Sequence, residues 1–200
     1  MKKRVFISVQ YMEIGGVERS LLGLLDAFDY SRFDVDLFVY RHSGELMRFI
    51  PGQVNLLPEI PAYTTLTRPI TEIVREGYFG IAAGRLAAKF RSWWFGKFNK
   101  GGENSSVFQY VAYATTRYMP RVNDTTYDLA ISFITPHNIV RDRVKARRKV
   151  AWVHTDYTNV EVDVRREMKS WGAYDFIAAI SEDAKTAFVH RFPSLAGKML

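Results

Sequence analysis

Polar residues that could bind a ligand stand at the ends of several apolar runs in this sequence. His154 ends the run at 149–154, where a neutral imidazole can exchange a hydrogen bond with a ligand hydroxyl. Asp156 follows it and is the carboxylate nearest to a place suited to a general base. Both residues also have structural interpretations. His154 could be a core residue whose hydrogen bonds are made within the protein, and Asp156 could cap a helix.

Two consecutive glycines, Gly15 and Gly16, follow the first apolar run at 4–10. Glycine at a strand-to-helix turn lets the backbone approach a ligand, and the helix N-terminus behind it attracts anions. Glu18 falls in the first turn of that helix, where a negative charge is also favourable. A tight turn without a ligand is the alternative. Because neither G-x-G-x-x-G nor a P-loop pattern is present, a dehydrogenase or an ATPase is disfavoured.

Two further loops carry candidate binding residues. His137 and Asn138 follow the run at 127–134, and Ser181 ends the run at 176–181. Ser181 precedes two acidic residues, so it is equally suited to cap a helix. The sequence therefore predicts ligand contacts from His137, Asn138 and Ser181, together with the glycine loop.

The sequence predicts no metal site. The remaining histidines are scattered and do not pair with carboxylates at metal-ligand spacing. Asp34 and Asp36 form a D-x-D pair, which in other settings can hold a divalent ion. Here they lie at the start of the run at 33–40, so we interpret them as solvent-facing residues at the edge away from the predicted crevice.

A parallel sheet is needed to bring these loops together. Three of the apolar runs are continuous rather than alternating, which indicates strands covered on both faces. Segments with helical spacing separate them, so the sequence predicts an α/β fold with a Rossmann-like, doubly wound parallel sheet. Right-handed crossovers place all carboxyl ends at one edge, where such sheets bind ligands. The predicted strands are 4–10, 33–40, 54–57, 127–134, 149–154 and 176–181. The predicted helices are 17–28, 45–50, 71–94, 106–119, 138–147, 162–171 and 182–191.

Length and composition favour one globular domain over residues 1–200, with a helical basic and aromatic insertion at about 64–120. The 200 residues have a net charge of +7, 48% of them are hydrophobic, and cysteine is absent. Thiol catalysis and disulfide scaffolds are thus excluded. No apolar run approaches the ~20 residues of a membrane-spanning helix, so we expect a cytoplasmic protein.

The segment at 85–100 contains five cations, five aromatic residues and no acidic residue. Such a segment suits an anionic membrane surface, and we expect membrane contacts there. The alternative is a helix whose aromatic residues pack on the domain. Nucleic acid is disfavoured because no nucleic-acid-binding module is recognisable. The candidate membrane contacts are Arg85, Lys89, Arg91, Trp93, Trp94 and Lys97.

Five segments in order resemble the N-terminal half of glycosyltransferases of family four, which have the GT-B fold. The resemblance is weakest at about 62–125, and its segments are 15–22, 33–37, 43–46, 150–156 and 180–182. It implies a retaining, metal-independent enzyme that needs no cofactor in this domain and uses a nucleotide-sugar donor as co-substrate. It also implies that Gly15 and Gly16 approach the donor diphosphate or the acceptor, and that His154 hydrogen-bonds the transferred sugar.

The same resemblance implies that a C-terminal, donor-binding domain lies outside this chain. The chain would then be the acceptor-binding half, acting on a saccharide or a lipid-linked acceptor in surface polysaccharide or glycolipid synthesis, and inactive alone. A stand-alone, non-catalytic Rossmann-like module recruited to membranes or anionic partners remains the alternative.

Overall fold

The computed structural model describes residues 1–98, 103–104, 106–158 and 160–200. The strands are β1 (Lys3–Val9), β2 (Phe33–Val39), β3 (Asn55–Leu56), β4 (Glu103–Asn104), β5 (Thr126–Ser132), β6 (Lys145–Val153), β7 (Val160–Glu161) and β8 (Phe176–Ala179). The α-helices are α1 (Gly16–Asp26), α2 (Pro61–Thr64), α3 (Ile70–Arg75), α4 (Phe79–Phe98), α5 (Ser106–Thr115), α6 (Asn138–Arg143), α7 (Val164–Trp171) and α8 (Glu182–Arg191). Short 3-10 turns cover Glu45–Phe49, Thr116–Tyr118 and Pro193–Lys198.

Six strands form one parallel sheet in the order β3-β2-β1-β5-β6-β8, and β4 pairs with β7 in a separate two-stranded ribbon. In the large sheet β1 pairs with β2 over seven residues and with β5 on its other side. Because all six strands run the same way, the loops that follow β1, β5, β6 and β8 leave one edge. The predicted α/β, Rossmann-like fold is confirmed.

Both faces of the sheet are covered, which explains the continuous apolar runs. In β1, Val5, Ile7 and Val9 belong to the core beneath α1, whereas Phe6 belongs to the core on the opposite face. Successive side chains of a strand alternate between faces, so a strand between two cores needs apolar residues at consecutive positions.

Between β3 and β5 the described residues form the helices α2 to α5, a 3-10 turn and the short strand β4, and α4 packs against α5. Gly84 permits this packing, because a Cβ atom there would lie 2.9 Å from the Ala114 carbonyl oxygen. The sequence predicts one helix over 71–94, and this prediction is wrong: α3 ends before Gly77, whose φ of +86° favours glycine, and α4 begins at Phe79.

Two other details differ from the sequence predictions. The helix predicted over 138–147 ends at Arg143, and β6 begins at Lys145 because it pairs there with β5. Asp36 does not face solvent, as it is buried and accepts hydrogen bonds from the Tyr127 hydroxyl (2.6 Å) and the Asn55 amide (2.7 Å). Alternation along β2 does not separate core from solvent, since both faces are covered.

Candidate functional site

A cavity of about 490 Å³ opens at the carboxyl edge of the sheet, between that edge and the helices α4, α5 and α7. Its sheet side is formed by the residues that follow β1, β5 and β6, and these are Gln10, Tyr11, Thr135, Pro136, His137, Asn138, Thr155 and Tyr157. Its helical side includes Arg85 and Lys89 of α4, Gln109 and Tyr113 of α5, and Glu167 and Ser170 of α7. The cavity therefore lies where parallel α/β sheets bind ligands.

His137 lies in the cavity wall and is almost completely buried. Its Nδ1 atom is 2.8 Å from the Ser132 hydroxyl, and its ring packs on Trp171 with centroids 4.3 Å apart. Burial, and secondarily the neighbouring His154, lowers the pKa of His137 from 6.5 to about 3, so the ring is neutral at physiological pH. No partner for its buried Nε2 atom exists among the residues that the structure describes.

Asn138 has a similar arrangement. It begins α6, is buried in the cavity wall, and accepts a hydrogen bond on Oδ1 from the Ser170 hydroxyl at 3.1 Å. Its Nδ2 atom is buried and lacks a partner within the described ranges. The cavity wall thus contains two buried side-chain nitrogens, His137 Nε2 and Asn138 Nδ2, whose hydrogen-bonding capacity is unused.

Glu167 of α7 is the buried carboxylate of this site. It accepts hydrogen bonds from the Gln109 amide, the Trp171 indole and the Tyr157 hydroxyl, the last at 3.2 Å. Burial raises the pKa of Glu167, and these hydrogen bonds oppose that shift without cancelling it. Gln109 also accepts a hydrogen bond from the backbone N–H of Asp163 at 2.9 Å, so its side chain ties α5 to the start of α7.

The two residues predicted to be catalytic lie at the expected edge but outside the cavity wall. His154 is partly buried against the Phe133 ring (4.9 Å between centroids), and burial lowers its pKa. Its Nε2 atom is also buried and unpartnered in the part of the chain that the structure describes. Asp156 is exposed and accepts a hydrogen bond from the Thr158 backbone N–H at 2.8 Å. Hydrogen bonding to the Thr158 side chain and to this backbone N–H lowers the pKa of Asp156.

The glycine loop and Ser181 likewise follow their strands without lining the cavity. Glu18 is buried at the third position of α1 and its carboxylate covers Gly15, since a Cβ atom on Gly15 would lie 2.3 Å from it. The position next to Gly16 is open. Ser181 caps α8 by accepting a hydrogen bond from the Ala184 backbone N–H at 3.1 Å. Of the predicted binding residues, the cavity thus includes His137 and Asn138.

The outer face of α4 carries exposed apolar side chains. We refer to Leu86, Phe90, Trp93, Trp94 and Phe98 as the α4 stripe; between 54% and 71% of each is exposed. Their spacing places them on one face of the helix, opposite the buried Ala88 and Ser92. The Lys97 ammonium lies 3.8 Å from the Trp93 ring centroid. The interpretation in which these aromatic side chains pack on the domain is wrong for the α4 stripe.

The cationic residues of this segment differ in their surroundings. Arg85 belongs to the cavity wall, because its guanidinium donates to the carbonyl oxygens of Thr65 (2.6 Å) and Arg68 (2.5 Å). It does not lie on the outer face of α4 as a membrane contact would. Lys89 is exposed and also lines the cavity, whereas Arg91 and Lys97 are exposed beside the stripe. Lys100, the last residue of the basic segment, lies outside the described residues.

The sequence patterns did not reveal Glu167, Gln109 and Ser170 as site residues. They lie on α5 and α7, and only the docking of these helices over the sheet edge brings them to the cavity. The single local signal was an acidic residue between apolar positions of a short helix, which is equally typical of a solvated helix face.

No protein-family model matches this sequence, and a search of curated proteins finds no match. Within the described ranges, no cluster of three or more His, Asp or Glu side chains could hold a metal ion. None of the described helices combines the length and apolar character needed to cross a membrane.

Proposed function

We propose that this chain is the acceptor-binding half of a retaining glycosyltransferase with the GT-B fold. The enzyme would move a sugar from a nucleotide-sugar donor to a saccharide or lipid-linked acceptor in surface polysaccharide or glycolipid synthesis. The observation that carries this proposal is the cavity at the carboxyl edge, where His137 and Asn138 have unpartnered buried nitrogens.

The composition of the cavity supports a sugar as its ligand. Sugar rings combine apolar C–H faces with hydroxyl groups, and the cavity wall combines apolar residues such as Val107 and Val162 with amide and imidazole groups, besides the ionisable Arg85, Lys89 and Glu167. Apolar walls with a few positioned polar groups are typical of small-molecule sites. The Nε2 atom of His154, at the same edge, is buried and also lacks a partner in the described structure. The family resemblance implies that His154 hydrogen-bonds the transferred sugar.

The donor-binding function belongs, in this proposal, to a second domain. The family resemblance supplies the retention of configuration, the metal independence and the separate donor domain. Gly16 supports an approach of the donor or acceptor to the glycine loop, since no atom of the described residues lies within 4 Å of a Cβ atom built on it. Glu18 would have to move or be neutralised before an anionic diphosphate could approach Gly15.

Blocking the cavity tests the proposal. Thr67 is exposed and lines the cavity, so Thr67→Trp should fill its mouth without disturbing the core. The matched control is Thr71→Trp, an exposed position of α3 outside the cavity. We expect full-length protein from the complete reading frame to transfer sugar from one member of a nucleotide-sugar panel, and Thr67→Trp to reduce the rate at least about tenfold.

The possible results of this assay distinguish a glycosyltransferase from a non-catalytic binding module. Equal transfer rates for both variants would show that the cavity is not the acceptor site. A full-length protein without transfer activity on any donor, but with retained ligand binding, would favour a stand-alone, non-catalytic Rossmann-like module instead.

We also propose that the protein is peripheral at the inner face of the membrane and contacts it through the α4 stripe. The support is the exposure of Trp93, Trp94 and Phe90 beside the cations Arg91 and Lys97. Tryptophan favours the headgroup region, and each cation near anionic lipid contributes about 1 kcal/mol. Because Lys89 borders both surfaces, this contact would bring the cavity close to a lipid-linked acceptor.

Vesicle flotation tests the membrane contact. We expect the chain to float with phosphatidylcholine vesicles that contain about one-third phosphatidylglycerol, and less with phosphatidylcholine alone. The double variant Trp93→Ser, Trp94→Ser should lose flotation, whereas Phe49→Ser, at an exposed phenylalanine outside the stripe, should not. Equal flotation of these two proteins would contradict the assignment of the surface.

A further inference from the structure

A groove of about 520 Å³ lies between α4, α5 and the start of α7, and we refer to it as the α4–α7 groove. None of the described residues that form it also lines the cavity at the carboxyl edge. Its size and its combination of aromatic walls with a few charged groups are typical of small-molecule sites. The aromatic walls include Phe90, Trp94 and Tyr110, and the charged residues are Arg91, Asp163 and Arg166.

Both carboxylate oxygens of Asp163 have partners within the protein. The Oδ1 atom accepts a hydrogen bond from the Arg166 backbone N–H at 3.3 Å, which caps α7. The Oδ2 atom accepts a hydrogen bond from the Tyr110 hydroxyl at 3.0 Å and lies 3.3 Å from the Arg166 Nε atom. The acid of the described groove wall is therefore engaged, which disfavours a cationic ligand.

The positive charge of Arg91 has no such counterpart. Arg91 is exposed, and it forms no ion pair with any carboxylate of the described residues. Burial and Asp163 raise the pKa of the Tyr110 hydroxyl to about 12, and the charges of Arg166 and Arg91 oppose this rise. Both guanidinium groups thus lie near Tyr110, and the Arg166 Cζ atom is 5.1 Å from the centroid of its ring. The groove wall holds these two cations against one acid, so it favours an anion.

The groove is continuous with the α4 stripe, because Phe90 and Trp94 belong to both surfaces. Tryptophan side chains favour the headgroup region of a membrane. When the stripe contacts a membrane, the groove beside Trp94 therefore lies at the depth of the lipid headgroups. The anion available at this depth is the phosphate group of a phospholipid, and a guanidinium group binds phosphate through parallel N–H donors.

We propose that the α4–α7 groove binds the headgroup of one anionic phospholipid, with its phosphate at Arg91 and Arg166 and its acyl chains along Phe90 and Trp94. The proposal rests on the proposed membrane contact of the α4 stripe. It adds a discrete lipid site to that contact, since Arg166 belongs to α7 and lies outside the basic segment at 85–100. The bound lipid bridges α4 and α7, two of the helices that border the cavity, and so fixes the orientation of the cavity relative to the membrane.

Titration with soluble short-chain lipids tests the groove separately from a membrane surface. The probes are dihexanoyl phosphatidylglycerol, dihexanoyl phosphatidylcholine and inorganic phosphate, with both lipids kept below their micelle concentrations. We expect phosphatidylglycerol to saturate at one molecule per chain and to shift the NMR signals of the Arg91 and Arg166 Nε–H groups. Phosphatidylcholine has no net charge and phosphate has no acyl chains, so both should bind at least about tenfold more weakly.

Charge-matched substitutions provide a second readout. Arg91→Gln should weaken the binding of short-chain phosphatidylglycerol about tenfold, because it removes charge-assisted hydrogen bonds to the phosphate. Arg91 is exposed, so this variant should fold like the unmodified chain. Arg165→Gln is the matched control and should bind like the unmodified chain, since Arg165 is an exposed cation next to Arg166 in the sequence and lies outside the groove.

The possible results distinguish the groove from the membrane contact. Suppose that the chain floats with vesicles containing phosphatidylglycerol, but the short-chain lipid does not bind or binds Arg91→Gln and Arg165→Gln equally. The groove is then overturned and the membrane contact stands. Phosphatidylcholine that binds as tightly as phosphatidylglycerol overturns the role of charge, and phosphate that does so overturns the assignment to a lipid. If the chain neither floats nor binds any short-chain lipid, the membrane contact and the groove fail together.

Discussion

The buried polar groups at the two edges of the central sheet differ in how much of their hydrogen-bonding capacity is used. At the amino edge, Asp36 accepts hydrogen bonds from Tyr127 and Asn55, and its carboxylate lies 3.8 Å from the Arg4 guanidinium. At the carboxyl edge, His137 and Asn138 are buried as deeply, yet each retains a nitrogen without a partner in the described structure. Buried groups that satisfy one another stabilise a fold, whereas buried groups with unused capacity call for a further partner such as a water molecule or a ligand.

Acid should destabilise the protein chiefly through the carboxyl edge. The pKa of His137 falls from 6.5 in the unfolded chain to about 3 in the folded one, so the unfolded chain binds more protons between these values. The contribution of His137 to stability is therefore constant above about pH 6.5 and decreases below it by about 1.4 kcal/mol per pH unit. Glu167, whose pKa is raised in the folded chain, opposes part of this loss as it takes up a proton. We expect a loss of up to about 3 kcal/mol by about pH 4.5, measured by urea unfolding.

The variant His137→Gln isolates this effect. It should show a much smaller loss between about pH 7 and about pH 4.5, with the remainder arising from His154, whose pKa is also lowered. His190→Gln, at an exposed position of α8, should behave like the unmodified chain. An unchanged pH dependence in His137→Gln would contradict the neutral, buried state of this ring.

Asp36→Ala should destabilise the protein by about 2 kcal/mol, because it removes the acceptor of the buried Tyr127 hydroxyl and of the Asn55 amide at the amino edge. Asp34→Ala is the control on the same strand. Asp34 is exposed and forms a surface ion pair with Lys2 at 3.4 Å, so its loss should cost less than about 0.5 kcal/mol. Equal losses in urea unfolding would mean that the amino edge is not held by its buried network.

Asn138→Leu should change stability by less than about 1 kcal/mol, the smallest of these effects. The substitution removes one hydrogen bond to Ser170 but also removes a buried nitrogen that lacks a partner, and the two contributions oppose each other. Thermal unfolding gives the comparison with the unmodified chain. A loss above about 2 kcal/mol would assign Asn138 to the structure rather than to a ligand site.

Much of the fold could be predicted because its signals are local. Continuous apolar runs such as those around Val5 and Val150 require cover on both faces, and this requirement leads to parallel strands with a common carboxyl edge. The same rule explains the error at Asp36, where period-two alternation suggested solvent although both faces of β2 are covered. The break at Gly77 was missed because glycine also occurs inside helices.

The candidate site could be predicted only in part. His137 and Asn138 follow a strand directly, so the strand position determines their edge. Glu167 and Gln109 reach the cavity through the docking of α7 and α5, and such long-range packing leaves no periodic signal in either helix. The roles of Gly15, Asp156 and the other predicted residues outside the cavity remain predictions from the sequence and from the family resemblance.

The central claim is that the cavity at the carboxyl edge binds the acceptor sugar. A crystal structure of this chain with the tightest-binding methyl glycoside tests it directly. We expect sugar hydroxyl oxygens within about 2.7–3.2 Å of both His137 Nε2 and Asn138 Nδ2. A sugar bound elsewhere on the surface, with the cavity filled by water alone, would contradict the claim.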